Sequence, residues 1–210
     1  MKLKRKVKKT IVIIVVILLL AALAFLILRK TLFKETVKEP QVLNKIDDYG
    51  YVLKDNKSKK YQKEFAELVK ILKKDPVNEE EYASKIAEMF IIDFYSLSDK
   101  SAKTDVGGVD FVHPDILSNF LENAEDTLYK HVESNIYGNR NQSLPTIDSV
   151  NIESVEKTSF TYGEETDENA YLVKATWTYK EEAFSDYQSK ASMIFIHKDK
   201  KLYLAELGRV

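Results

Sequence analysis

The chain contains no cysteine, which excludes a disulfide framework, a thiolate metal site, a cysteine nucleophile and an S-linked lipid anchor. Histidine is almost as scarce: only His113, His131 and His197 occur, and none has a second ligand at HExxH or ExxH spacing, so neither a metal nor another cofactor is expected. Neither the GxxxxGK[ST] phosphate loop nor the GxSxG nucleophile elbow is present. A strong charge of either sign is also missing: 32 Lys and Arg stand against 33 Asp and Glu, a net charge of -1, so the whole chain carries no nucleic-acid footprint. A fold without disulfides needs a real hydrophobic core, and 12 Tyr, 10 Phe and many aliphatic residues supply one.

What the chain does have is one long apolar run. Ile11 to Leu28, IVIIVVILLLAALAFLIL, holds no charged or polar residue, no Gly and no Pro. At about 1.5 Å per residue such a helix is roughly 27 Å long, close to the hydrocarbon thickness of a bilayer. The spacing predicts a transmembrane helix over 11–28 in contact with membrane lipid. Lys2, Lys4, Arg5, Lys6, Lys8 and Lys9 precede it without an acidic residue, whereas Arg29, Lys30, Lys34 and Lys38 beyond it are mixed with Glu35 and Glu39. The excess of basic residues in the short leading tail places residues 1–10 in the cytoplasm and the bulk of the chain outside. A cleaved signal peptide would share the basic start, and Ala22-Leu23-Ala24 offers a small-x-small site. The apolar run continues past that site and exceeds the usual h-region of about 7–15 residues, which favours an uncleaved anchor.

Residues 29–54 read as a stalk containing Pro40, with a short extended strip over Ile46 to Leu53, and residues 55–210 as one extracytoplasmic domain. Tyr61, Phe65, Leu68, Val69 and Leu72 recur at helical spacing after cap-type residues, up to the stop at Asp75-Pro76. Asn78 caps a second helix opened by Glu79-Glu80-Glu81, whose buried residues Tyr82, Ile86, Met89, Phe90 and Phe94 make it the expected central helix. Pro114 starts a third, with Ile116, Phe120, Ala124, Leu128 and Val132 on one face, running to about Asn135.

After the turn-rich stretch 137–145 the period changes to two. Strands are predicted around Val150 to Tyr162 with a bulge or bend, over Tyr171 to Tyr179, around Met193 to Ile196, and over Leu202 to Leu207. GEETDEN forms the first connection, and the four strands make an antiparallel meander. Helices followed by a strand meander is the pattern of an α+β domain.

The order of anchor, stalk, about three helices and four long antiparallel strands resembles membrane-anchored members of the nuclear transport factor 2-like (NTF2-like), or cystatin-like cone, superfamily, in the layout of bitopic assembly subunits of type IV secretion and Gram-positive conjugation machines. The resemblance covers roughly Asp55 to Val210 and is architectural. It implies helices packed on a curved sheet with a cone-shaped cavity between them, and transfers no site residue.

The segment with the most chemical potential is Lys103 to His113. Gly107 and Gly108 permit backbone geometry closed to other residues, and Asp105, Asp110 and His113 are candidates to converge at the mouth of the cone, where Asp and His serve as acid and base. The alternative is a helix connection turning on Gly107-Gly108, with Val109, Phe111 and Val112 packed inward. Two functions follow as expectations: a non-enzymatic, membrane-anchored interaction or scaffold domain of a bacterial envelope complex, with other envelope proteins or a second copy of the chain as partners, or a ligand-binding or hydrolytic domain using the cavity. An open and polar cavity favours the second, and a cone filled by Phe and Tyr leaves only the surface.

Overall fold

A computed structural model describes residues 14–22, 24–25 and 40–208 of the chain. Residues 14–22 and 24–25 are helical and solvent-exposed; the rest of the expected 11–28 span lies outside the described residues. Among the described residues, no helix is long and apolar enough to cross a membrane. A second compact unit starts at Pro40.

That unit begins earlier than the boundary expected at residue 55. Strands β1 (Val42–Ile46) and β2 (Tyr51–Lys54) pair as an antiparallel hairpin around a 3-10 turn, Asp47–Tyr49. Gly50 closes the turn with φ 66°, a left-handed conformation that costs glycine nothing. Burial explains why this stretch folds with the domain: Tyr51 and Leu53 enter the core, and the Tyr51 ring lies 5.5 Å from that of Phe111.

Helix α1 (Lys59–Leu72) starts where the Ser58 hydroxyl accepts the Tyr61 N–H, and buries Tyr61, Phe65, Leu68 and Leu72 at the expected spacing. Helix α2 (Glu79–Tyr95) is capped by the Asn78 side chain, which accepts the N–H groups of Glu80 and Glu81. Every residue of α2 from 89 to 95 is buried, so its C-terminal half is covered on all sides and forms the centre of the core.

Helix α3 (Pro114–Asp126) ends well before the expected Asn135. Thr127 leaves helical geometry, and Tyr129, fully buried, turns into the core to donate its hydroxyl to the Phe94 carbonyl at 2.6 Å. Burying that ring with a satisfied hydroxyl outweighs two more helical turns.

Strands β3 (Ile147–Tyr162), β4 (Glu165–Tyr179), β5 (Lys190–Lys198) and β6 (Lys201–Gly208) form an antiparallel sheet in the order β3-β4-β5-β6. The expected irregularity in β3 is present as register shifts between Ile152 and Ser154 and between Thr158 and Phe160. The GEETDEN connection is shorter than expected, because Glu165, Thr166 and Asp167 keep pairing with Tyr162, Thr161 and Phe160, so only Gly163-Glu164 turn. Tyr171, Val173, Ala175 and Trp177 of β4 alternate into the core, joined by Met193 and Phe195 of β5, and α2 packs against β3 and β4. The unit is an α+β fold with its helices on one four-stranded antiparallel sheet.

Candidate functional site

The loop from Ser101 to His113 is built inward by its glycines. Gly107 donates its N–H to the Tyr129 hydroxyl at 3.0 Å, and a Cβ there would overlap the Asp93 carbonyl. Gly108, at φ 75°, donates to Asp93 Oδ2 at 2.8 Å while a Cβ would meet the Phe90 ring at 2.6 Å. Both positions therefore demand glycine for close packing on α2. Val109–Phe111 form a 3-10 turn that buries Phe111, and Val112 bridges β6 at Leu204.

The polar candidates go three separate ways. Asp105 accepts the Ser101 N–H and hydroxyl at 2.8 and 3.0 Å within its own turn. Asp110 is exposed. His113 is buried at 1% exposure, caps α3 by accepting the Asp115 N–H on Nδ1 at 3.3 Å, and lies edge-on to Tyr162 and Tyr203. Since Nδ1 accepts, Nε2 carries the proton, and it has no hydrogen-bond partner. Burial pushes the imidazole pKa down, the nearby Asp115 carboxylate partly opposing it. Among the described residues no hydrogen bond joins Asp105, Asp110 and His113, and Asp105 and His113 bond separate backbone groups.

Sequence reasoning missed the group at the centre of this region. Asp93, buried in α2, accepts Lys100 Nζ on Oδ1 at 2.8 Å and both Lys57 Nζ at 2.6 Å and the Gly108 N–H on Oδ2. Burial alone would disfavour its charge, but the two ammonium groups and the amide outweigh it and hold the carboxyl well below the usual range. A lone carboxylate inside the apolar run MFIIDFY was the available signal. This cluster ties α1's leading segment, α2 and the glycine loop together; it is a structural lock.

A second polar cluster lies near the start of α2. Asp167 Oδ2 accepts the backbone N–H of His197 at 2.7 Å and contacts its Nδ1 at 2.9 Å, while His197 Nε2 lies 3.4 Å from Glu79 and Tyr171 donates to Glu79 at 2.9 Å. Burial opposes the Asp167 charge, and the hydrogen bonds from His197 and Asn169 overcome it to lower its pKa. Among the described residues no group of three or more His, Asp or Glu is placed to hold a metal ion.

A concave site lies elsewhere, between α2, α3 and the end of the sheet: an open cavity of about 690 Å³. Phe94 and Tyr95 of α2 form one wall and Leu207 of β6 another. From α3 come Ile116, Phe120 and Ala124 together with Asn119 and Asn123, spaced on one side of the helix, and Thr127 follows just past its end. Only Ala124 of α3 is fully buried; Ile116, Leu117, Phe120 and Leu121 are half-buried against the core, with the Phe120 ring 5.1 Å from that of Phe94, and Ile116 and Phe120 also border the cavity. Its volume is within the roughly 300–1,000 Å³ of small-molecule pockets. None of Asp105, Gly107, Gly108, Asp110 or His113 lines it. The helical period made this face legible in the sequence; that part of it would border a cavity was not.

Comparison of the chain with family models, curated proteins and solved structures finds no match.

Proposed function

We propose that the chain is a single-pass, membrane-anchored extracytoplasmic binding module of NTF2-like arrangement, which takes up a small apolar ligand between α2, α3 and the sheet. The observation that carries this reading is the open cavity of about 690 Å³. The apolar run 11–28 with its basic leading tail supports the anchor and its orientation. The aromatic, amide and hydroxyl groups that line the cavity among the described residues support capture of a ligand.

Thermal unfolding of the full-length chain in lipid nanodiscs with a panel of small apolar molecules tests this. A ligand at 100 times its Kd is expected to stabilise by about 2.7 kcal/mol, and Thr127→Phe, at the cavity rim, is expected to abolish the shift. Equal shifts in both proteins would place binding elsewhere and defeat the reading.

A second reading, an interaction or scaffold subunit of a bacterial envelope complex such as a secretion or conjugation apparatus, is favoured by β3. This 16-residue strand pairs on one side only and leaves a long edge for strand addition by a partner or a second copy. Cross-linking in intact membranes from a cysteine placed at the exposed Glu153 is expected to capture a stoichiometric partner; a chain that remains uncross-linked removes this reading.

A further inference from the structure

The chemistry of the cavity wall narrows what it can hold. Among the described residues that line it there is no Asp, Glu, Lys, Arg or His. The chain as a whole is rich in charge, with 32 basic and 33 acidic residues among 210, and the described lining of this cavity carries none of them. Its polar groups are neutral amides and hydroxyls: Asn119 and Asn123 on α3, Thr127 just past its end, Gln188 from the loop before β5, and the buried Tyr95 of α2.

Asn119 and Asn123 stand one helical turn apart on the face of α3 that looks into the cavity, and both are exposed. Each amide offers a donor and an acceptor. Thr127 directs its hydroxyl back to the Asn123 carbonyl and Gln188 donates to the Lys190 carbonyl, so each of these two spends a donor within the protein. The two asparagines are the exposed amides that α3 turns toward the cavity, set beside the ring of Phe120 and the side chains of Ile116 and Ala124.

From this arrangement we infer that the ligand is a neutral amphiphile, an apolar chain or ring system ending in an uncharged hydroxyl or amide that bonds Asn119 and Asn123. The inference rests on the cavity-binding reading above and adds the ligand's charge class. A carboxylate, phosphate or ammonium entering the site would give up its hydration with no opposite charge among the described lining to replace it. A neutral hydroxyl exchanges its water hydrogen bonds for the amides at little net cost. The apolar part leaves water against Phe94, Phe120 and Leu207, which drives the binding.

The protein contains its own reporter. Its single tryptophan, Trp177, is 3% exposed, and its ring lies 4.4 Å from that of Tyr95 on the cavity wall. A bromine atom carried into the cavity therefore quenches a fluorophore that solvent hardly reaches. The experiment compares 10-bromodecanol with 10-bromodecanoate at pH 7.5, where the acid is ionised, using the full-length chain in nanodiscs and Thr127→Phe in identical nanodiscs to subtract partition into lipid. The expected result is saturable quenching by the alcohol, at least tenfold weaker apparent binding of the carboxylate, and a reversed preference in Asn123→Lys, an exposed position where lysine does not disturb packing. Equal or tighter binding of the carboxylate to the wild-type chain overturns the charge class while leaving the cavity reading intact. Quenching by neither compound beyond the Thr127→Phe level overturns the cavity reading itself.

Discussion

Asp93 shows at the scale of a residue how a fold holds a charge in its core. Its carboxylate is 7% exposed and its partner Lys100 5%, yet each oxygen is met by an ammonium group and one also by the Gly108 amide. Removing the carboxylate would strand two ammonium groups, one of them fully enclosed. Asp93→Ala is expected to destabilise the unit by about 3–5 kcal/mol in chemical denaturation, the range for breaking a buried pair, and Asp93→Asn by less. The pH dependence has a definite sign. Because the folded-state pKa is held below its unfolded value of about 3.9, Asp93 contributes stability that is complete above that value and is lost as the pH falls toward the folded pKa. The gap between wild type and Asp93→Asn should therefore narrow below about pH 4, and a constant gap would deny the ion cluster its role. At Gly108, the left-handed φ and the contact with Phe90 both oppose a side chain. Gly108→Ala is expected to cost about 2–5 kcal/mol, the sum of roughly 1–2 for the backbone and 1–3 for overpacking, read by denaturant midpoint.

Among the elements, α3 is the one whose stability bears on the cavity, since its inner face forms the largest part of the wall. Its N-terminus is capped by the buried imidazole of His113. Five groups face or surround that ring from other positions: the Asp115 carboxylate on α3, Lys198 on β5, Glu165 on β4, and the Tyr162 and Tyr203 rings. Burial sets the balance and lowers the pKa, so the unfolded or opened segment takes up a proton before the folded one does. The contribution to stability is whole above the unfolded value of about 6.5 and declines as the pH falls below it, levelling once the folded form also protonates. Protonation of Nδ1 removes the acceptor from the Asp115 N–H. Amide exchange over the first turn of α3, corrected for intrinsic rates, is expected to quicken from pH 7.5 to 5.5 in the wild type and to stay level in His113→Asn, which keeps a cap but does not titrate. Equal behaviour of the two chains would show that the imidazole is not the sensitive group.

The hairpin β1–β2 belongs to the scale of the whole molecule, because it decides where the folded unit starts. Tyr51 and Leu53 are buried in the common core, and the Tyr51 and Tyr82 hydroxyls hydrogen-bond at 2.7 Å. At about 1.5–3 kcal/mol for each large side chain, a chain beginning at Pro40 is expected to exceed one beginning at Asp55 by roughly 3–6 kcal/mol, or about 6–24 °C in Tm at 2–4 °C per kcal/mol. Matching melting temperatures would return residues 40–54 to the stalk. Much of this architecture was legible beforehand. The helical spacing from Tyr61 to Leu72, the Asn78 cap and the alternation from Tyr171 to Trp177 are local patterns, and local patterns depend only on neighbours along the chain. Three features were not legible: the early end of α3, the closure of the β3–β4 hairpin on two residues, and the separate fates of Asp105, Asp110 and His113. The first and the fate of His113 turn on partners distant in sequence, Phe94 for Tyr129 and Leu204 with Tyr162 and Tyr203 for His113, whereas the hairpin closes through the pairing of Tyr162, Thr161 and Phe160 with Glu165, Thr166 and Asp167, which continues the strand alternation through residues of turn-forming type. By itself the order of residues determined the α+β class, the central helix and the apolar run ahead of the domain, since hydrophobic period and length are properties of one segment at a time. Tertiary structure alone decided that Asp93 would be a charged lock and that the apolar face of α3 would border open space, because both depend on what other segments bring, or fail to bring, against it.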